Sequence, residues 1–182
     1  MKPRILLHVL AVCIIAISCV KDVDFDQAEE VYLENEFVTD LVYFNLTTSN
    51  FVDVDNDVVV NSTVTESTNL EFLDDQFIQE NLVELAIEME YQNTFQQSFT
   101  NRARFLNRAN QEMYSFQFDV DGSADGSVVT TRFVDTLTQA ELQQFKRSIK
   151  LEVSVDLTQD GQSIEGNLDF RSKAYYKMLF DQ

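Results

Sequence analysis

Apolar and polar residues alternate one by one along most of the chain after residue 37, and this period of two is the pattern of half-buried β-strands. The clearest run is 112–120, in which an aromatic or aliphatic residue stands at every second position from Tyr114 to Val120. Residues 82–91 alternate in the same way, and the face that begins with Val83 is expected to point inward. Further strands are predicted over 37–46, over 51–65 as one strand or as two around a turn at 55–57, and over 100–106, 128–137, 148–157 and 164–180.

Two short stretches carry helix signals instead. Thr138 and Glu141 have the spacing of a capping box, in which each side chain bonds the other residue's backbone, so one short helix is predicted over 138–146. Asp75 is a candidate N-cap for a turn or a single helical turn within 74–80. Helix is therefore a minor part of the predicted fold.

Polar loops separate the predicted strands. Loop 121–127 contains Gly122 and Gly126, both expected at positive φ, and it predicts a hairpin between the strands on either side. The turn 159–162 predicts a second hairpin in the same way. About eight to ten strands with one short helix indicate an all-β fold, an antiparallel β-sandwich for which an immunoglobulin-like arrangement is one option.

The first eighteen residues have the pattern of a secretory signal. Lys2 and Arg4 provide positive charge, 5–17 is almost wholly apolar, and Ser18 is a small residue before the predicted cleavage. The apolar run is too short for the roughly twenty residues that a membrane-spanning helix needs. We therefore predict a signal peptide over 1–18 rather than a transmembrane anchor.

The next residues resemble the anchoring and export signals of bacterial lipoproteins. Ala16 to Cys19 is similar to the lipobox, in which the signal peptidase cuts before the cysteine, and this implies that Cys19 carries the lipid, including palmitate. Lys21, Asp22 and Asp24 resemble the lysine-plus-acid export signal of Bacteroidota lipoproteins. The resemblance is to flavobacterial-type outer-membrane lipoproteins and covers these motifs only. It implies lipid anchoring in the outer membrane with display at the cell surface, the periplasmic face being the alternative.

The resemblance and the strand pattern divide the chain into a signal peptide (1–18), an acidic tether (19–36) and a β-sandwich domain (37–182). Cleavage before Cys19 removes the single histidine and the other cysteine of the chain. A mature chain without them cannot form a Ser-His-Asp triad, a Cys-His pair or a zinc site of the usual ligands. We therefore predict that the protein is not an enzyme and has no cofactor or metal site, with a carboxylate-based hydrolase as the remote alternative.

Acidic residues dominate the first half of the chain. Between Asp22 and Asn101 there are 19 Asp and Glu residues and no Lys or Arg, and the formal net charge of the whole chain is −18. Such a surface repels nucleic acid, so the predicted partners are the membrane, through the lipid anchor, and another envelope protein. The sequence accordingly predicts a non-catalytic interaction module of the outer envelope, an accessory subunit of an outer-membrane or surface complex. The alternative is a surface lipoprotein that binds glycan or calcium.

One loop has the spacing of a calcium site. Asp121, Ser123 and Asp125 place oxygen atoms at alternate positions around two glycines, which suits a hard cation. An EF-hand that began at Asp121 would need an acidic ligand where Arg132 stands. A plain hairpin turn and a weak calcium site therefore both stay open for this loop.

Two further groups of side chains are candidates for contacts. Tyr175 adjoins the inward-facing Tyr176, so it is expected to face outward beside two lysines, as tyrosines at protein interfaces do. The second group either forms a small basic stripe or pairs with the acidic excess; it consists of Arg102, Arg104 and Arg108.

Overall fold

The computed structural model describes residues 33–53, 55, 58–158 and 163–180. Within them the chain forms mostly β-strands, with three short α-helices and one 3-10 helix. The strands are β1 (Leu33–Thr47), β2 (Val52–Asp53), β3 (Val58–Val59), β4 (Thr63–Asn69), β5 (Leu82–Asn93), β6 (Phe99–Leu106), β7 (Glu112–Val120), β8 (Val129–Thr136), β9 (Lys150–Leu157) and β10 (Asn167–Phe180). The helices are α1 (Thr48–Phe51), α2 (Gln76–Asn81) and α3 (Gln139–Phe145), and the 3-10 helix is Glu71–Asp74.

Eight of these strands form two antiparallel four-stranded sheets, and β2 pairs only with β3. Sheet I has the order β1-β10-β5-β8, and sheet II has the order β4-β9-β6-β7. Strands that are consecutive in the chain therefore tend to fall in different sheets, and the chain crosses repeatedly between them. This strand order is that of a jelly roll. The β-sandwich prediction is confirmed, and its arrangement is the jelly roll rather than the immunoglobulin type.

Both predicted hairpins are wrong, although the strands that flank them are present. β7 pairs with β6 in sheet II, whereas β8 pairs with β5 in sheet I. β9 and β10 are likewise in different sheets, and the turn 159–162 between them lies outside the described residues. The loop between β7 and β8 is longer than the two-residue turn of a tight hairpin, and it can span the distance of about 10 Å between packed sheets.

The core lies between the two sheets. Tyr91 of β5 is fully buried, and its ring packs against Phe170 of β10 with ring centroids 4.6 Å apart. The Tyr91 hydroxyl donates a 2.6 Å hydrogen bond to Oδ1 of Asn101 on β6, so it joins the two sheets. The other large, fully buried side chains are Phe51, Phe95, Phe99, Phe105, Phe145, Leu73, Ile87, Met89, Leu142 and Leu151.

The inward face of β5 differs from the prediction at its first residue. A β-bulge shifts the register there, since Lys177 pairs with Glu84 but Met178 pairs with Leu82. Leu82 is buried for this reason, and Val83 is only partly buried. The alternation over 85–91 is confirmed.

The two glycines of loop 121–127 serve different purposes. Gly126 has φ 79°, as predicted. Gly122 is not at positive φ; it is required because a Cβ there would overlap the carbonyl oxygen of Gln96. Asn93 holds the two loops at this end of the sandwich together, since its Nδ2 donates to the carbonyl oxygens of Gln97 (3.0 Å) and Asp121 (2.9 Å).

The helix signals are confirmed. The Glu141 carboxylate accepts a hydrogen bond from the Thr138 backbone N–H (2.8 Å), and the Thr138 hydroxyl accepts one from the Glu141 N–H (3.4 Å), which completes the capping box of α3. Asp75 caps α2 by accepting a 2.9 Å hydrogen bond from the Phe77 N–H. Because α1 and the 3-10 helix are also present, the described part of the chain has more helix than these two signals predicted.

The domain boundary at residue 37 falls inside a strand, because β1 begins at Leu33. The predicted signal peptide lies outside the described residues, as does most of the tether. Among the residues that are described, no helix is both long enough and apolar enough to cross a bilayer.

Candidate interaction face

A β-bulge in β1 decides which side chains face outward. Asp40 pairs with Lys173 and Tyr43 pairs with Arg171, so β1 has two residues where β10 has one. Before the bulge the even-numbered residues of β1 face outward, and after it the odd-numbered ones do. Without the extra residue, the side chain of Tyr43 would point into the core.

The hydroxyl of Ser172 holds this bulge in place. Ser172 is buried, and its Oγ accepts a hydrogen bond from the Val42 N–H (3.1 Å) and lies 3.3 Å from the Val42 carbonyl oxygen, to which it donates. The next inward residue, Phe44, packs against Phe170 with ring centroids 4.6 Å apart. Tyr43 lies between Val42 and Phe44 in the sequence, and its side chain is directed to solvent.

Four exposed apolar or aromatic side chains share the outer face of sheet I. The exposed fractions are 58% for Val38, 71% for Tyr43, 52% for Val134 and 37% for Tyr175. The register places all four on this face, with Val38 and Tyr43 on β1, Tyr175 on β10 and Val134 on β8. The outward orientation predicted for Tyr175 is confirmed. Large exposed apolar residues are enriched at interaction surfaces when they are grouped in this way.

Both arginines between these side chains are paired with glutamates. Arg132 of β8 contacts Glu88 of β5, and Arg171 of β10 lies 2.5 Å from Glu90 of β5. The hydrogen bond from Arg132 lowers the pKa of Glu88 below its ordinary value, and the Tyr175 hydroxyl donates a further hydrogen bond of 3.2 Å to the same carboxylate. Because each of these two ion pairs is neutral, a partner that covers them does not bury an arginine or its glutamate as a lone charge.

A shallow depression of about 190 Å³ lies at the end of this face where β1 begins. Ala86 leaves room for it, because the residues opposite it, Tyr175 and Thr136, and Val38 beyond Tyr175 are all larger. A row of ion pairs bounds the depression, with the Lys177 Nζ 3.0 Å from Glu84 and 3.9 Å from Glu36.

The outer face of sheet II is different in kind. It carries short polar side chains that bond one another across strands, as in the Thr63–Asp156 pair (2.5 Å) and the Thr65–Ser154 pair (2.9 Å). Among the described residues, the strands of sheet II expose no large apolar side chain. Sheet I therefore offers the better docking surface.

The polar groups of the candidate calcium loop, 121–127, form hydrogen bonds with one another. The Asp125 carboxylate accepts a 3.0 Å hydrogen bond from the Ser127 N–H, and bonds from Ser127 lower the pKa of this carboxyl. The Ser123 hydroxyl donates to the Ser127 carbonyl oxygen at 2.6 Å. In the part of the chain that the structure describes, no group of three or more metal-ligating side chains comes together.

The three candidate arginines each bind a different partner and do not form a basic stripe. Arg104 pairs with Glu152, Arg108 pairs with Asp74, and Arg102 donates to Gln117 at 3.2 Å. The predicted export residues Lys21, Asp22 and Asp24 and the predicted lipidation residue Cys19 lie outside the described residues.

The strand order and this face define a jelly-roll β-sandwich with one aromatic and aliphatic outer surface. No protein-family model and no curated protein matches the chain. Among solved structures it is similar to a protein of Parabacteroides distasonis that is named as a presumed secreted protein, with 14% identity, a TM-score of 0.48, and coverage of 63% of this chain and 37% of that one. It is also similar to the VP2 subviral particle of infectious bursal disease virus (11% identity, TM-score 0.47, 82% of this chain and 33% of that one). A third similar structure is dimeric latent PorU from Porphyromonas gingivalis, with 11% identity, a TM-score of 0.38, and coverage of 82% of this chain and 13% of that one. The chain thus spans 37% or less of the length of these three proteins.

Proposed function

We propose that the protein is a lipid-anchored, non-catalytic interaction module of the bacterial outer envelope, which holds another envelope protein as an accessory subunit. The observation that carries this proposal is the grouping of Val38, Val134 and Tyr175 among paired charges on the outer face of sheet I. Such a face combines apolar contact area with ion pairs that are already formed, which lowers the cost of burying those charges.

The anchor in this proposal is Cys19, which would be acylated, and the export signal is Lys21, Asp22 and Asp24. Cys19→Ala should move the protein from the membrane fraction to the soluble fraction of the envelope and abolish incorporation of a labelled palmitate analogue. A matched control is Ser18→Ala, which keeps a small residue before the cut. Equal membrane retention of wild type and Cys19→Ala would contradict the anchoring.

The docking face is tested by site-specific photo-crosslinking in intact cells that produce the full chain. A photoreactive side chain at Val38 or Val134 should give one discrete adduct with an envelope protein. The same group at Thr65, which is on the outer face of sheet II, should not. Val134→Glu should remove the adduct formed at Val38, since it buries an unpaired charge in the interface. Adducts of equal yield from both sheets, or none from sheet I, would refute the docking face.

A further inference from the structure

Tyr43 stands where three depressions of the surface meet. One of them, of about 170 Å³, is a slot that runs across β10 on the outer face of sheet I. Tyr43 on β1 lines one side of the slot, Glu90 and Gln92 on β5 line the other, and Asp169 and Arg171 of β10 lie between. This slot is separate from the depression beside Tyr175.

Tyr43 is unlike the other tyrosines that the structure describes. The hydroxyls of Tyr91, Tyr114, Tyr175 and Tyr176 all have hydrogen-bond partners in the protein. Among the described residues, Tyr43 has no side-chain hydrogen bond and no aromatic neighbour in ring contact. With 71% of its surface exposed, its ring contributes little to the packing of the sandwich. The bulge at Leu41 and Val42 directs the ring outward, and bulges commonly re-aim a side chain beside a binding site.

The polar groups of the slot are planar and held in fixed orientations. The Asp169 carboxylate accepts hydrogen bonds from Asn45 (2.6 Å) and Asn167 (3.0 Å). Glu90 bonds Arg171 at 2.5 Å and also accepts from the Gln92 amide at 3.3 Å. The slot therefore presents carboxylate, amide and guanidinium groups that lose little further freedom when a ligand binds.

The spacing of the strands fits a ligand of one ring in width. β1 and β5 flank β10, so their backbones are about 9.6 Å apart, twice the distance between neighbouring strands. A sugar ring can lie over β10 within this width, between the ring of Tyr43 and the amide of Gln92. Its C–H groups would pack on the electron-rich face of the tyrosine, and neighbouring hydroxyls would match the planar bidentate groups.

The negative charge of the surface favours neutral sugars over acidic ones. Glu90 and Asp169 line the slot, and the chain as a whole carries a formal net charge of −18. Carboxylated or sulfated saccharides would be repelled by this field. We infer that the slot between Tyr43 and Gln92 is a binding site for a neutral pyranose unit of a polysaccharide, a role that goes beyond the docking of an envelope protein.

The inference is tested by calorimetry on the full chain, purified in a detergent without a sugar headgroup. The ligands are hexasaccharides of α-1,4-glucose, β-1,3-glucose, β-1,4-glucose, β-1,4-mannose and β-1,4-xylose, with oligogalacturonate as the anionic comparison. At least one neutral hexasaccharide should bind saturably. Tyr43→Ala should weaken that binding about tenfold or more, which corresponds to ~1.4 kcal/mol.

Three variants separate this site from a general effect on the protein. Tyr43→Phe keeps the ring and should bind nearly as the wild type does, whereas Gln92→Ala should bind more weakly. Tyr175→Ala removes the other exposed tyrosine of the same face and should leave binding unchanged. The inference is overturned if no neutral hexasaccharide binds, if only oligogalacturonate binds, or if Tyr175→Ala weakens binding as much as Tyr43→Ala does. Far-UV circular dichroism of each variant confirms that the sandwich is intact.

Discussion

The hydrogen bond between Tyr91 and Asn101 joins the two sheets inside the core, and its removal gives a sharp test of how the sandwich is held together. Both residues are fully buried, and the bond is 2.6 Å long. Tyr91→Phe removes the hydroxyl but keeps the ring, which packs on Phe170. The remaining contact of the Asn101 amide that the structure records is a weak one from Nδ2 to the sulfur of Met89, at 3.8 Å.

The expected cost follows from the group that is left without a partner. In Tyr91→Phe the Asn101 Oδ1 loses its donor in a site from which water is excluded, and an orphaned buried polar group costs about 1–3 kcal/mol. Two kcal/mol in the middle of that range would lower Tm by about 4–8 °C for a domain of 150–250 residues. The substitution leaves only a small void, so the loss comes from the polar group rather than from packing.

The assay is urea unfolding followed by far-UV circular dichroism, because the chain has no tryptophan to report by fluorescence. Asn101→Leu should also destabilise the protein, since it leaves the Tyr91 hydroxyl without an acceptor. The double variant removes both polar groups and should be more stable than the sum of the two single losses predicts, by about 1 kcal/mol or more. A Tyr91→Phe protein within about 0.5 kcal/mol of the wild type, or strictly additive losses, would show that the bond does not matter to stability.

Three further outcomes are expected. Burial raises the pKa of Tyr91 well above its ordinary value near 10, so the folded protein keeps a proton that the unfolded chain releases. The free energy of unfolding should therefore fall as pH rises above about 10, and the urea midpoint of Tyr91→Phe should fall less than that of the wild type. Ser172→Ala removes both bonds that hold the β1 bulge and should cost about 1–3 kcal/mol in urea unfolding, whereas Ser154→Ala, at a half-buried position on the outer face of sheet II, should cost less than about 0.5 kcal/mol. Gly122→Ala should lower Tm more than Gly126→Ala does, because a Cβ at position 122 overlaps backbone atoms. A Cβ at position 126 meets open space, so Gly126→Ala adds only the strain of a positive φ. Equal shifts in Tm would contradict this explanation.

Alternation along the sequence predicts strands well because it records a local property, namely which side chains face the core. The strand Glu112–Val120 has the predicted bounds, and the capping box of Thr138 and Glu141 is present. The pairing of strands is a different matter. An inward face is the same whether a strand belongs to sheet I or sheet II, so the period of two cannot tell a hairpin from a crossing between sheets. This is why the strands on either side of loop 121–127 were predicted correctly and paired wrongly.

The candidate sites depend on residues that are distant in the sequence. Val38 and Tyr175 meet only because β1 pairs with β10. Tyr43 and Gln92 flank one slot only because β1 and β5 pair with opposite sides of β10. One local signal for the slot was available. Leu41 to Phe44 is a run of four apolar residues that breaks the alternation of β1, and such a break is typical of a bulge. It shows that one of Tyr43 and Phe44 must face outward, but not which polar groups it meets there.

The two proposed sites share a surface, and their distance limits how they can be used. Tyr43 pairs with Arg171, which is four residues from Tyr175 along β10, or about 13 Å along the strand. A stable protein interface covers about 800 Å² of each partner, a patch of roughly 16 Å in radius. A partner centred on Tyr175 would therefore reach the slot beside Tyr43. A polysaccharide chain and a protein partner cannot both occupy this face fully, so binding of the first should weaken binding of the second.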